Sequence, residues 1–292
     1  CYHENFRQTV ENIIKWNSFI EHNPDRLLIG KTGADVRLAH QTGKTAIFYG
    51  FQNCSAIEEH LGLIEVLHQL GGRFMQLSYN NQSLLATGCY ENEDSGITRF
   101  GKQALKEMNR VGLVADVSHT SEKSSFDALK HSNRPIVISH ANPDWWHPSK
   151  RNKSHKLIKA ITEANGIIGF SLYPHHLKDG SNCSLESFSQ MIADAASRYG
   201  VDSLGIGSDI CQGQPDSVVE WMRNGTWSKD MDFGEGSRHK AGFPDQPNWF
   251  SRIKDFPNLK IGLQKEGFST VEIEKILGMN WLRFYDENFC PE

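Results

Sequence analysis

Two segments of this chain run as apolar, β-branched stretches and stop at Ser-His: Leu113-Val-Ala-Asp-Val-Ser-His119 and Pro135-Ile-Val-Ile-Ser-His140. Runs of this kind read as strands buried in a parallel sheet. A histidine directly after such a strand stands at its carboxyl end, the rim on which α/β barrels build their chemistry. Two of them on consecutive strands put two imidazoles on one rim, and imidazole is the commonest metal ligand. Neutral imidazole takes zinc through one nitrogen while the other needs a hydrogen-bond acceptor. The competing reading is two satisfied strand-end histidines. The matching Ser-His context argues for ligands.

Other residues fall at similar positions. Asp209 ends the run Leu204-Gly-Ile-Gly-Ser-Asp209. A carboxylate there can ligate a metal, orient water or act as general base, or it can simply cap the segment that follows. Gln52 and Tyr79 end two further strand-like runs and suit hydrogen bonding to a substrate. Arg151 lies in Ser149-Lys-Arg-Asn. Its planar fork suits a substrate carboxylate, but its immediate neighbours read as a solvated loop.

These residues need elements to position them. Strand-like runs occur at 46–51, 74–79, 113–118, 136–139, 167–172 and 203–207, with 27–29 as a weaker one. Helical patterns lie at 5–20, 57–70, 100–111, 120–129, 154–164 and 184–199. Thr98 and Gly112 bracket the third of these as caps. Alternation at this spacing is that of βα repeats and a parallel sheet. Candidate residues at carboxyl ends favour a (β/α)8 TIM-type barrel over an open sheet. Fewer than eight strands are visible, so one or two amino-terminal strands are expected upstream of Cys1. The whole of 1–292 reads as one barrel domain. Residues 212–259 form an irregular capping loop, and 260–292 the carboxyl-terminal helices, with Ser269 and Glu272 as a capping box and Gly278 as a stop.

Composition narrows the function further. A net charge of −4 with no block of Lys/Arg argues against nucleic acid. No apolar run approaches the roughly 20 residues of a membrane span. Six scattered cysteines without a C-x-x-C read as reduced thiols in a cytoplasmic protein.

Several ordered motifs together resemble the membrane (renal) dipeptidase family, zinc peptidases of the amidohydrolase-like barrel superfamily. They are Leu61-Gly-Leu-Ile-Glu-Val-Leu-His-Gln-Leu-Gly-Gly-Arg-Phe-Met-Gln-Leu77, Gly96-Ile-Thr-Arg-Phe-Gly-Lys, Glu107-Met-Asn-Arg-Val-Gly-Leu with the strand to His119, Pro135 to His140, Arg151-Asn152, Leu204 to Asp209 and Ile276-Leu-Gly-Met-Asn-Trp-Leu-Arg. The resemblance implies that His119 and His140 hold one zinc. It implies that Arg151 binds the substrate carboxylate and that Asp209 contacts substrate and moves protons.

Three departures accompany it. The family's H-x-D motif is absent, its bridging glutamate falls on Gln52, and a substrate-contacting histidine falls on Tyr79. A neutral amide bridges two cations poorly, so one zinc is expected rather than two. The resemblance implies a metal-dependent hydrolase that cleaves the amide bond of a dipeptide or similar small carboxylate. The partners expected are that substrate and a second copy in a homodimer. The alternatives are a mononuclear enzyme acting on another small acid or amide, and a metal-free ligand-binding homologue.

Overall fold

A computed structural model of the chain describes residues 3–223 and 242–289. They fall into two compact units. The first comprises His3–Val137 and the residues from Trp281 on; the second comprises Ile138–Asn280.

The first unit opens with α1 (Phe6–Glu21), capped by Asn5, whose side chain accepts from Gln8 N. Its buried residues Ile13 and Ile20 join Tyr49, Leu27, Ile29, Ile47 and Phe51 in one apolar cluster. There follow β1 (Leu27–Ile29), α2 (Gly33–Gln41), β2 (Thr45–Ile47), β3 (Tyr49–Phe51), α3 (Gly62–Gln69), β4 (Gly72–Gln76), α4 (Arg99–Val111), β5 (Val114–Asp116) and α5 (Glu122–His131). All the pairings are parallel: β1 with β2, and β3, β4 and β5 in that order. Parallel pairing needs a crossover between strands, and the intervening helices supply it.

The single strand expected at 46–51 is therefore two. At the break, Phe48 turns its ring onto Tyr285 and Phe289, with centroids 5.0 and 5.8 Å away. That contact takes the residue out of the ladder, so β2 pairs with β1 while β3 pairs with β4. The weak run at 27–29 is a strand after all. The caps of α4 are as read: Thr98 Oγ1 accepts from Gly101 N at 2.9 Å, and Gly112 closes the helix at φ +82°, a conformation glycine adopts without steric cost.

The second unit carries α6 (His155–Glu163), β6 (Ile168–Phe170), α7 (Leu185–Tyr199), β7 (Leu204–Ile206), α8 (Asp216–Arg223), α9 (Pro257–Lys265) and α10 (Thr270–Glu274). β6 and β7 pair in parallel. The run at 136–139 is reduced to single parallel bridges, Val137 to Asp116 in the first unit and Ile138 to Ile168 in the second. Residues 212–259 are less irregular than expected, because they hold α8 and the start of α9; 224–241 lie outside the described residues. The Ser269–Glu272 capping box is present. Gly278 interrupts the helix as expected: its φ of 176° is not helical, and a second helix, α11 (Asn280–Asn288), follows across the kink. Asn280 fastens that junction by donating from Nδ2 to the carbonyls of Val201 and Leu204, both at 2.8 Å. No helix among the described residues is long and apolar enough to cross a membrane.

One histidine makes the first unit acid-sensitive. His68, at the end of α3, is half-buried, and its Nε2 has no hydrogen-bond partner among the described residues. Burial, reinforced by the neighbouring Arg73 guanidinium, lowers its pKa from 6.5 to about 4. The folded state thus disfavours the proton that the unfolded chain accepts. Its contribution to stability is full above pH 6.5 and is lost as pH falls toward 4. The urea midpoint should therefore fall over this range, and His68→Gln should flatten the fall. An imidazole proton resonance titrating near pH 6.5 would remove this account.

Candidate active site

On the first unit the carboxyl ends of β3, β4 and β5 carry Gln52, Tyr79 and His119. Gln76 of β4 pairs with Asp116 of β5. Three residues further along each chain stand Tyr79 and His119, and their rings stack with centroids 4.1 Å apart at 23°. Both are buried. The stacking changes the reading of Tyr79: its ring packs on the candidate ligand. Gln52, half-buried, ends β3 on the same edge, and Asn53 beside it caps the following turn by accepting from Ser55 N at 3.2 Å.

His119 is held through its own ring as well. Nδ1 lies 2.7 Å from Asn80 Oδ1. The loop bearing Asn80 is laced to the strand end, since Cys89 N donates to His119 O at 2.9 Å and Ser121 N to Thr87 O at 3.0 Å. Ser118, the serine of the motif, does not serve its histidine in this way. Its backbone N–H and hydroxyl both donate to Asp116 Oδ1, at 2.9 and 2.6 Å.

On the second unit the same Ser-His pair is used differently. Ser139 Oγ lies 2.7 Å from Nδ1 of its neighbour His140, which makes Nε2 the ring's ligating candidate. Glycines allow this segment to pack tightly. A Cβ on Gly169 or on Gly207 would overlap the Ser139 carbonyl oxygen. Asp209 follows Gly207 by two residues and holds φ +51°, unusual for a residue with a side chain. Strained backbone of this kind clusters at functional sites.

Arg151 is buried and not a solvated loop residue. One arm of its guanidinium donates to His140 O at 3.4 Å. The segment is seated by two asparagines. Asn142 Nδ2 donates to Ser171 O and His176 O at 2.9 and 3.0 Å. Asn152 Nδ2 donates to His147 O and His176 O at 2.8 and 3.0 Å. Asn152 Oδ1 in turn accepts from Asn142 N at 3.0 Å.

His176 was missed in the sequence, although Tyr173-Pro-His-His176 after the strand at 167–172 carries the same strand-then-histidine signal. It is buried, with Nδ1 2.8 Å from Ser171 Oγ. Burial first, then the positive charges of Arg151, His140, His175 and Lys153, hold its pKa well below 6.5. The ring is thus neutral and serves as a hydrogen-bonding group.

The metal question turns on this donor set. Among the described residues no three His, Cys, Asp or Glu side chains gather as a metal-holding group. Position 52 offers an amide where a carboxylate bridge would need charge. The imidazoles of His119 and His140, each engaged at Nδ1, fit the chemistry of zinc ligands. The same set does not fit a carboxylate-bridged pair of ions.

Residues 1–224 match the family described as membrane dipeptidase, peptidase family M19. The chain belongs to the membrane dipeptidase family. An amidohydrolase from Pseudomonas aeruginosa is similar over 99% of this chain and 86% of that one, at 33% identity and a TM-score of 0.88. A metallo peptidase from Rhodobacter sphaeroides, liganded with a phosphinate mimic of the dipeptide L-Ala-D-Ala, matches 94% of this chain and 73% of its own at a TM-score of 0.77 and 21% identity, which shows a shared fold. Dipeptidase tcpJ of Claviceps purpurea is 26% identical over 289 residues, 98% of this chain. The chain spans 61% of that curated relative's length. The fold class is accordingly the TIM-type α/β barrel of this family, as the strand-end pattern led one to expect. Membership also implies a metal, typically zinc.

Proposed function

We propose that this chain is a metal-dependent hydrolase that cleaves the amide bond of a dipeptide or similar small substrate with a free carboxylate. The observation that carries the reading is the buried Arg151 guanidinium against the backbone of His140. A fork-shaped cation withdrawn from solvent beside a candidate zinc ligand suits a substrate with a carboxylate close to its scissile bond. The named activities of the dipeptidase and metallo peptidase relatives support the same class.

In this reading His119 and His140 are zinc ligands and one ion is held. Bound zinc supplies Lewis acidity that activates water and polarises the scissile carbonyl. Asp209 takes the proton from the attacking water and returns it to the leaving amine, so it alternates as base and acid. Arg151 binds the substrate carboxylate and fixes the register of the amide bond. Tyr79 and Gln52 line the first unit's edge and complete the substrate surface. A single ion lacks the clamp on both oxygens that two ions give, so turnover is expected to be slower than in a two-metal relative.

The test is zinc per chain, measured alongside hydrolysis of a panel of L,L- and L,D-dipeptides and their carboxyl-terminal amides. About one zinc and hydrolysis restricted to free-carboxylate substrates are expected. Arg151→Lys keeps a charge but loses the fork. It should raise KM for dipeptides by roughly tenfold to a hundredfold, with little effect on the amides. Equal losses on both substrates would assign Arg151 to structure instead. A protein that takes up no zinc when it is offered would overturn the proposal in favour of a ligand-binding homologue.

A further inference from the structure

His119 is gripped from one side by a residue to which the sequence assigns no role. Asn80 is buried, 2% exposed, and its Oδ1 lies 2.7 Å from His119 Nδ1. An amide oxygen only accepts. Nδ1 must therefore carry the proton, which leaves the ring's lone pair on Nε2. Cys89 Sγ, 3.5 Å from the same oxygen, can donate to it as well.

The backbone beneath Asn80 is built to deliver this contact. It holds φ +60°, in the left-handed region that asparagine tolerates better than most residues. Tyr90 N donates to Asn80 O at 2.9 Å. Gly88 bridges to Thr120, the residue after His119. A Cβ on Gly88 would overlap the Asn80 carbonyl, so the loop closes on the strand end only with glycine there. A left-handed non-glycine residue is strained and persists where the surroundings over-determine it.

We propose that Asn80 is the positioning residue of the candidate site: it fixes His119 as the Nδ1–H tautomer and so presents Nε2 as a zinc donor. The zinc part rests on the metallohydrolase reading above; the tautomer part does not. Tyr79 holds the plane of the ring by stacking, and Asn80 holds its protonation pattern.

The experiment uses the full chain, freed of metal, and reads the His119 tautomer from long-range proton–nitrogen NMR correlations. Zinc affinity is then measured with Zn²⁺ alone in competition with a chromophoric chelator. Asn80→Gly keeps access to positive φ and removes the acceptor; Asn80→Asp restores one. The wild type and Asn80→Asp should show Nδ1–H. Asn80→Gly should show Nε2–H or a mixture, with zinc affinity lower by roughly 10- to 100-fold and recovered in Asn80→Asp. A wild-type His119 protonated at Nε2 overturns the proposal without any variant, and so does an Asn80→Gly protein that keeps the Nδ1–H pattern. A wild type with the expected tautomer and no zinc uptake sinks the metallohydrolase reading while the assignment of Asn80 stands.

Discussion

Replacing His119 or His140 by alanine should leave the purified protein with a small fraction of one zinc per chain and lower dipeptide hydrolysis by roughly 10³-fold or more, the rate equivalent of several kcal/mol of lost Lewis-acid stabilisation. Each imidazole is already oriented through its other ring nitrogen. His119 Nδ1 is engaged by Asn80 Oδ1 at 2.7 Å and His140 Nδ1 by Ser139 Oγ at 2.7 Å, so Nε2 is the proposed donor in both rings. In the proposed site the two histidines hold one ion and so act as a unit. The double variant should therefore be no worse than either single one, since removing one member already abolishes the function. Elemental analysis and initial rates check this, with circular dichroism to confirm folding. A single variant that keeps its zinc would remove that histidine from the ligand set.

The second large effect should come from a residue with no side chain. Gly207→Ala would drive a Cβ into the Ser139 carbonyl oxygen, 2.8 Å from its carbon and 3.2 Å from His140 Cα. Neither neighbour is free to retreat. Gly169 N donates to Ile138 O at 2.7 Å and Ala141 N to Gly169 O at 3.0 Å, so the segment is pinned on both sides of Ser139. Overpacking against rigid backbone exceeds the usual cost of about 1–3 kcal/mol. A loss of about 3 kcal/mol or more is expected, a fall in Tm of roughly 6–12 °C. The displaced His140 should also lower zinc affinity. Gly50→Ala is the control: it too lies in a strand, but its Cβ would meet Phe74 Cβ at an ordinary 3.6 Å. If the two variants unfold at similar temperatures, the close approach at Gly207 carries no weight.

Some of the molecule was legible because its cause is local. The hydroxyl of Thr98 and the left-handed Gly112 end α4 by interactions within a turn, and the box at Ser269 and Glu272 starts α10 in the same way. Each needs only neighbouring residues, which a linear reading sees. The break at Phe48 was not legible, because its ring packs against residues more than two hundred positions away. Gly278 was legible, since a glycine after a helical pattern marks an end, while only the fold shows that Asn280 fastens the next helix to Val201 and Leu204. Asn80 escaped notice as one polar residue in Tyr-Asn-Asn-Gln-Ser, and only the fold distinguishes it from Asn81.

The sequence by itself determined which chemical groups stand at the strand ends. Apolar runs dictate where strands stop, and His119, His140 and Asp209 lie within three residues of the last paired position. It also determined the family, since ordered motifs survive without any knowledge of contacts. Only the tertiary structure decided what those groups are tied to. It turned one Ser-His motif toward Asp116 and the other toward its own histidine, withdrew Arg151 from solvent and laid Tyr79 on His119. Tautomer, burial and stacking arise from residues distant in the chain and close in space, and a pattern of types and spacings does not contain them.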